Sequence, residues 1–240
     1  MSLWVKVCGL RNPADVAAAC AAGANAIGFV FAPSVRRVSP AEATVAAAAA
    51  PANVQRVAVF LHPTQAELDE VLAGFKPDIV QTDAADFATL RVPVGIAVLP
   101  VLRAGGSREQ APSHNESREQ ALSHNGSREQ APSHNEASSV GGSLLPTRCL
   151  VEGPRSGTGQ VADWTLAAAM AARTQVVLAG GLHAGNVAAA VQAVRPWGVD
   201  VSSGVESAPG VKDAARIHQF VFAARQALVA ATASTECFGT

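Results

Sequence analysis

Cys8 ends an apolar, β-branched run, VKVC, and glycine follows it at once. A cysteine can be buried at such a place as a small hydrophobe. One that does chemistry has to be the side chain a strand delivers last, into a pocket. Two carboxylates stand comparably, Glu152 at the end of RCLVE and Asp200 within GVDVS. A single thiol or carboxylate at a strand end says little, whereas several converging from different strands mark a site. Two glycine-rich turns, AGGL (179–182) and SSGVE (202–206), close consecutive candidate strands. Glycine lets backbone N–H groups approach an anion, and a short helix N-terminus adds a favourable dipole, so Gly180, Gly181, Ser203 and Gly204 are candidates for a phosphate cradle. In PSVRRVSP (33–40), Arg36 and Arg37 adjoin. Such a pair is often a solvated surface feature, but a guanidinium fork can also hold a planar carboxylate through two parallel hydrogen bonds. A small molecule carrying both a phosphate and a carboxylate would use every one of these groups.

These residues need elements to position them. The chain alternates short β-branched runs with alanine-rich helical ones, the signature of βα units and a parallel sheet. The strands are read at 4–8, 26–31, 56–61, 78–82, 95–101, 148–152, 175–180 and 198–202. Helix starts are expected at Asn12-Pro13, at Ser39-Pro40 with Glu42, at Thr64 with Glu67, at Asp163-Trp164, at Gly185-Asn186 and at Asp213, where a side-chain oxygen can meet the first unpaired backbone N–H groups. Eight such units predict a (β/α)8 TIM barrel, a fold of about 250 residues, better than an open doubly wound sheet of five or six strands. In that barrel the loops after the strands form the functional face, and Cys8, Glu152, the two glycine turns and the arginine loop all fall there.

One stretch breaks the alternation. Residues 107–136 are three tandem decapeptides, SREQAPSHNE, SREQALSHNG and SREQAPSHNE. They are polar, proline-bearing and without apolar periodicity, so we expect residues 103–147 to be a disordered insert between strands five and six of a single domain spanning 1–240. Loop-closure entropy grows only logarithmically with length and tolerates it. His114, His124 and His134 recur every ten residues; that spacing puts no two of them on one helical face and argues against a metal site.

The charge balance, 18 basic against 19 acidic residues, shows no nucleic-acid footprint. No run of 18 uncharged apolar residues suggests a membrane span, and no leader pattern is visible. Four cysteines without CxxC spacing fit neither a metal site nor a disulfide scaffold, and point to a reducing cytoplasm. Cys20 and Cys149 read as core residues and Cys237 as part of a frayed tail.

The stretches VKVCGL, GANAIGFVFAPSVRRVSP, GTGQVADW, LAGGL and RPWGVDVSSGVESAPGVKD together resemble the phosphoribosylanthranilate isomerases of tryptophan biosynthesis. The likeness covers the chain apart from the repeat and its flanks. It implies an Amadori rearrangement of a phosphorylated small-molecule substrate, with Cys8 as general base, Glu152 as general acid, Arg36 against the anthranilate carboxylate, Asp200 beside the reacting sugar and the two glycine turns around the phosphate. It implies no metal or redox cofactor, since the substrate's own nitrogen is the electron sink. The sequence departs from the family pattern where Glu152 replaces an aspartate, where VQLHG becomes VQTDA (80–84) with Gln81 kept, and at the insert. Two rivals stand beside it: another phosphosugar barrel isomerase sharing the phosphate turns, for which an aspartate would be expected in place of Cys8, and, from these departures, a decayed barrel that keeps only phosphate binding.

Overall fold

The computed structural model describes residues 2–103, 146–153 and 162–236, with side chains as far as residue 227. The decapeptide repeat, most of GTGQVADW and Cys237 lie outside these residues.

Eight parallel strands close into a barrel in chain order: β1 (Trp4–Cys8), β2 (Ala26–Val30), β3 (Gln55–Val59), β4 (Ile79–Asp83), β5 (Ala97–Arg103), β6 (Arg148–Glu152), β7 (Gln175–Leu178) and β8 (Gly198–Val201), with β8 pairing back onto β1. Helices α1 (Pro13–Ala21), α2 (Pro40–Ala47), α3 (Gln65–Gly74), α4 (Trp164–Ala171), α5 (Val187–Val194) and α6 (Ala214–Glu236) pack around it. Five of the six expected start signals hold in detail. Ser39 with Glu42 and Thr64 with Glu67 form complete capping boxes, Asn12 and Asp163 cap α1 and α4 through their side chains, and Asp213 accepts from Arg216 N–H in the first turn of α6. Asn186 precedes α5 but does not cap it; its side chain braces the preceding turn instead. Between β4 and β5 the chain makes only a 3-10 turn (Ala84–Ala88), and a small hairpin, β9 (Glu206–Ala208) with β10 (Val211–Lys212), follows β8.

Strand periodicity divides the buried residues into two populations. Alternate strand residues such as Val5, Ile27, Ala58 and Val80 face the helices and join the larger core. The others point into the barrel, where Trp4, Ala26, Val57, Ile79, Leu99, Leu150 and Val177 fill its lower part. Trp197 closes that end, 5.2 Å from the Trp4 ring, with the Arg148 guanidinium 3.6 Å above it. Farther along the strands the same inward rows turn polar: Lys6, Cys8, Gln81, Asp83, Arg103, Glu152 and Asp200. An apolar floor under a polar mouth is the arrangement of a barrel whose chemistry sits at its C-terminal face.

Candidate active site

At the mouth, β1 and β8 bring Cys8, Lys6 and Asp200 together. Cys8 is buried, and Lys6 is wholly so, its Nζ 3.0 Å from Asp200 Oδ1. Gly28 on β2 makes room for them, since a Cβ there would lie 2.9 Å from Cys8 Sγ and 3.0 Å from Lys6 Cε. Burial pushes the Cys8 thiol above its ordinary range, Lys6 and Lys212 act in the opposite sense, and Asp200 adds to the rise. The Lys6 ammonium is disfavoured by burial but held by Asp200 and Cys8, which together carry its pKa upward.

Gly9, directly after Cys8, has φ +77°, and a Cβ on it would lie 2.6 Å from Arg36 Cδ. The arginine therefore lies across the end of β1, as a site residue should, and only glycine allows both the turn and the contact. Its fork is engaged within the chain: Nε and Nη2 reach Glu206 Oε1 and Oε2 at 2.7 and 2.8 Å. Glu206 also accepts from Lys212 Nζ at 2.7 Å and from Gly210 N–H at 3.2 Å. Burial alone would push the Glu206 carboxyl up, yet these donors outweigh it and pull it down to about 2. Lys212 in turn donates to Ser202 O at 2.9 Å, and Ser202 Oγ to Cys8 O at 3.1 Å, which ties the hairpin to the end of β1.

The glycine turns abut. A Cβ on Gly204 would lie 1.9 Å from Leu182 O, so the backbones after β7 and β8 are in direct contact. Gly180 and Gly181 adopt φ of +87° and +62°, and Asn186 fastens this turn by donating to Gly181 O at 2.9 Å and accepting from His183 N–H at 2.8 Å. Among the described residues, the N–H groups of Gly180, Gly181, Ser203 and Gly204 donate to no acceptor. Converging free donors of this kind suit an anion.

On the other side, β4, β5 and β6 present a row of alternating charge. Arg103 Nη1 lies 2.6 Å from Glu152 Oε1, and its Nη2 lies 2.6 Å from Asp83 Oδ1. Beyond Asp83, His62 Nε2 is at 3.0 Å from Asp83 Oδ2 and its Nδ1 at 3.0 Å from Asp86 Oδ1. The arrangement thus gathers a buried thiol, carboxyl groups, basic side chains and two abutting glycine turns around one opening. Cys149, by contrast, is a buried thiol raised to about 11, and Cys20 packs against the core; both are structural.

Of the residues singled out in the sequence, Cys8, Glu152, Asp200, Arg36 and the glycine turns all lie at this mouth, together with Glu206, Asp83 and Arg103, which the sequence pattern did not single out. Arg103, expected to begin the insert, is the last residue of β5. The missed signal is parity: Arg103 stands two residues beyond Val101 and Asp83 two beyond Gln81, so both continue inward-facing rows.

The chain matches the family described as N-(5'phosphoribosyl)anthranilate (PRA) isomerase over residues 5–97 and 120–223. It is 40% identical over 227 residues to the N-(5'-phosphoribosyl)anthranilate isomerase of Bordetella pertussis, covering 93% of this chain and 96% of that one. The isomerase of Mesorhizobium japonicum is 36% identical over 232 residues, covering 95% and 97%. Among solved structures, phosphoribosyl anthranilate isomerase from Thermotoga maritima superposes with a TM-score of 0.69 at 26% identity, covering 93% of this chain and 99% of that one. A phosphoribosyl anthranilate isomerase in complex with reduced 1-(o-carboxyphenylamino)-1-deoxyribulose 5-phosphate superposes with a TM-score of 0.66 at 27% identity, with the same coverage. A closed eight-stranded barrel whose sequence matches on both sides of the repeat, and relatives that it covers almost end to end, place this chain in the N-(5'-phosphoribosyl)anthranilate isomerase family.

Proposed function

We propose that Cys8 and Glu152 are the base and acid of the family's reaction, conversion of N-(5'-phosphoribosyl)anthranilate to 1-(2-carboxyphenylamino)-1-deoxyribulose 5-phosphate. The observation that carries this reading is that both side chains end inward-facing rows at the same mouth of a closed barrel, three strand steps apart through β8 and β7. Glu152 gives its proton to the furanose ring oxygen as the C1–O bond breaks, leaving an iminium. Cys8 then takes the C2 proton; the C–H pair forms the C1–C2 double bond, the iminium pair returns to nitrogen, and the enolamine tautomerises to the ketone. A buried thiol resists ionisation, and burial does raise Cys8. The cationic iminium arises beside it only after ring opening, and with Lys6 it supplies the charge a thiolate needs at the moment of transfer.

The Gly180–Gly181 and Ser203–Gly204 turns would receive the 5'-phosphate, and Asp200, beside Cys8, would face the sugar. Arg36 would receive the anthranilate carboxylate through the part of its guanidinium that Glu206 does not occupy. A reducing cytoplasm suits a thiol base, and Cys8, Cys20 and Cys149 are all free thiols. Among the described residues no helix is long and apolar enough to cross a membrane.

Steady-state turnover of freshly generated N-(5'-phosphoribosyl)anthranilate by the full chain tests the roles. Cys8→Ser and Glu152→Gln are each expected to lower kcat by at least about 10²-fold, the contribution typical of a positioned proton-transfer group. Full kcat in Cys8→Ser would refute the base assignment.

A further inference from the structure

Glu206 occupies one edge of the Arg36 guanidinium and leaves another open. It accepts from Nε at 2.7 Å and from Nη2 at 2.8 Å, and among the described residues no acceptor meets Nη1. A guanidinium carries five N–H groups in one rigid fork, so two donors on Nη1 and one on Nη2 are left. Their shared edge can take a second carboxylate end-on, through two parallel hydrogen bonds in the same plane. Two carboxylates on one arginine repel each other unless one has a further counter-charge. Lys212 supplies it, its buried ammonium 2.7 Å from Glu206 Oε1, so the bonded group holds two cations against one anion. Glu206 is itself fixed: it is buried, Gly210 N–H meets Oε2 at 3.2 Å, and Arg216, whose charge faces Asp213 at 3.9 Å, donates to its backbone carbonyl. Arg36 and Ser203 line one cavity of about 430 Å³ with Glu206 and the apolar Val35, Ala208 and Pro209, a lining that suits an aromatic ring. We propose that Glu206 is a positioning residue that fixes the plane of Arg36, that Lys212 keeps this pairing from cancelling the arginine's charge, and that the three together select a phosphosugar amine with a carboxylated ring over the same amine without the carboxylate.

This role rests on Arg36 receiving the anthranilate carboxylate, as proposed above, and not on Cys8 or Glu152, so binding alone tests it. Isothermal titration calorimetry of the full chain would compare reduced 1-(2-carboxyphenylamino)-1-deoxyribulose 5-phosphate with its carboxyl-free counterpart, reduced 1-phenylamino-1-deoxyribulose 5-phosphate. The parent is expected to bind the carboxylated ligand about 10- to 100-fold more tightly, and Arg36→Met to lose most of that preference. Glu206→Gln removes the charge that aligns the fork, whereas Glu206→Asp keeps the charge and withdraws it by one methylene. In each, the preference is expected to fall about 10-fold while the carboxyl-free ligand binds within a few-fold of its parent Kd. Lys212→Met leaves Glu206 to offset Arg36 unaided and should lower the preference likewise.

A preference lost in Arg36→Met but kept in both Glu206 variants would overturn the proposal and leave the role of Arg36 standing. Equal weakening of the two ligands in the Glu206 variants would overturn it as well, because damage to the hairpin does not distinguish one ligand from the other. Should Glu206→Gln fail to fold, Glu206→Asp alone decides. An unchanged preference in Lys212→Met would overturn the part given to the lysine. A parent that binds both ligands equally, or a preference that survives in Arg36→Met, would remove the carboxylate role of Arg36 and the proposal with it.

Discussion

Lys6 Nζ and Asp200 Oδ1 lie 3.0 Å apart inside the barrel, the lysine with no exposure to solvent and the aspartate almost none. Two charges removed from water need each other, and deleting one of a buried pair usually costs about 3 to 5 kcal/mol because the other is stranded. The pair also sets the field at Cys8, which Lys6 favours as a thiolate and Asp200 disfavours. Lys6→Met is therefore expected to lower the unfolding free energy by about that amount and to push the Cys8 thiol higher still. If Cys8 is the base proposed above, the ascending limb of kcat/KM should move to higher pH, with activity at pH 7 down about 10-fold or more. In Lys6→Met/Asp200→Asn, denaturant unfolding should recover most of the stability while turnover stays low. Recovery of both would mean that Lys6 acts on folding alone.

Glu206 gives an acid-side expectation. Its folded-state value of about 2 lies below the 4.3 of a free glutamate, so its contribution is present in full above about pH 4.5 and disappears as pH falls toward 2. A displacement of about two units corresponds to about 3 kcal/mol. In urea titrations, the parent should exceed Glu206→Gln by about 3 kcal/mol at pH 6, and the two should converge near pH 2. A difference that stays constant across that range would mean that the cost reflects packing rather than the ion pairs with Arg36 and Lys212.

What could be read in advance follows from where the information is local. β1 and β6 agree with the sequence reading to the residue, because a β-branched run bounded by glycine or proline is decided within a few positions. The capping boxes of α2 and α3 are equally local. Cys8, Asp200 and the glycine turns could be found because each belongs to a short stretch with an unusual composition. Glu206 could not: its partners are Arg36, 170 positions away, and Lys212 across a hairpin that β-propensity does not announce in ESAPGVK. Asp83, Arg103 and Glu152 meet only because β4, β5 and β6 adjoin in the closed barrel, and Arg103 adjoins a repeat whose composition drew its reading toward loop.

Gly28 is expected to matter through volume alone. A methyl group there would sit 2.9 Å from Cys8 Sγ and 3.0 Å from Lys6 Cε, closer than real Cβ contacts run, and both neighbours are buried. The thiol must shift, and a base displaced by a fraction of an ångström loses alignment with the C2 proton. Gly28→Ala should lower kcat about 10- to 100-fold, with KM changed little because the proposed phosphate and carboxylate contacts lie elsewhere. Circular dichroism melts should stay within a few degrees of the parent; a large loss of Tm with normal kcat would show that the barrel, and not the base, absorbs the methyl group.

Gly204 tests the anion cradle. Its Cα faces the Leu182 carbonyl so closely that a Cβ would lie 1.9 Å from that oxygen, a backbone group that no rotamer can move aside. Gly204→Ala must separate the turns after β7 and β8, and with them the N–H groups of Ser203 and Gly204 from those of Gly180 and Gly181. The phosphate does not change charge during the isomerisation, so its contacts serve ground state and transition state alike, and their loss belongs in KM. KM is expected to rise about 10- to 100-fold with kcat within a few-fold. Competitive inhibition by inorganic phosphate should weaken in parallel, since that ion needs only the cradle. A fall in kcat at unchanged KM would mean instead that these turns support the strand end carrying Asp200 and that the phosphate is held elsewhere.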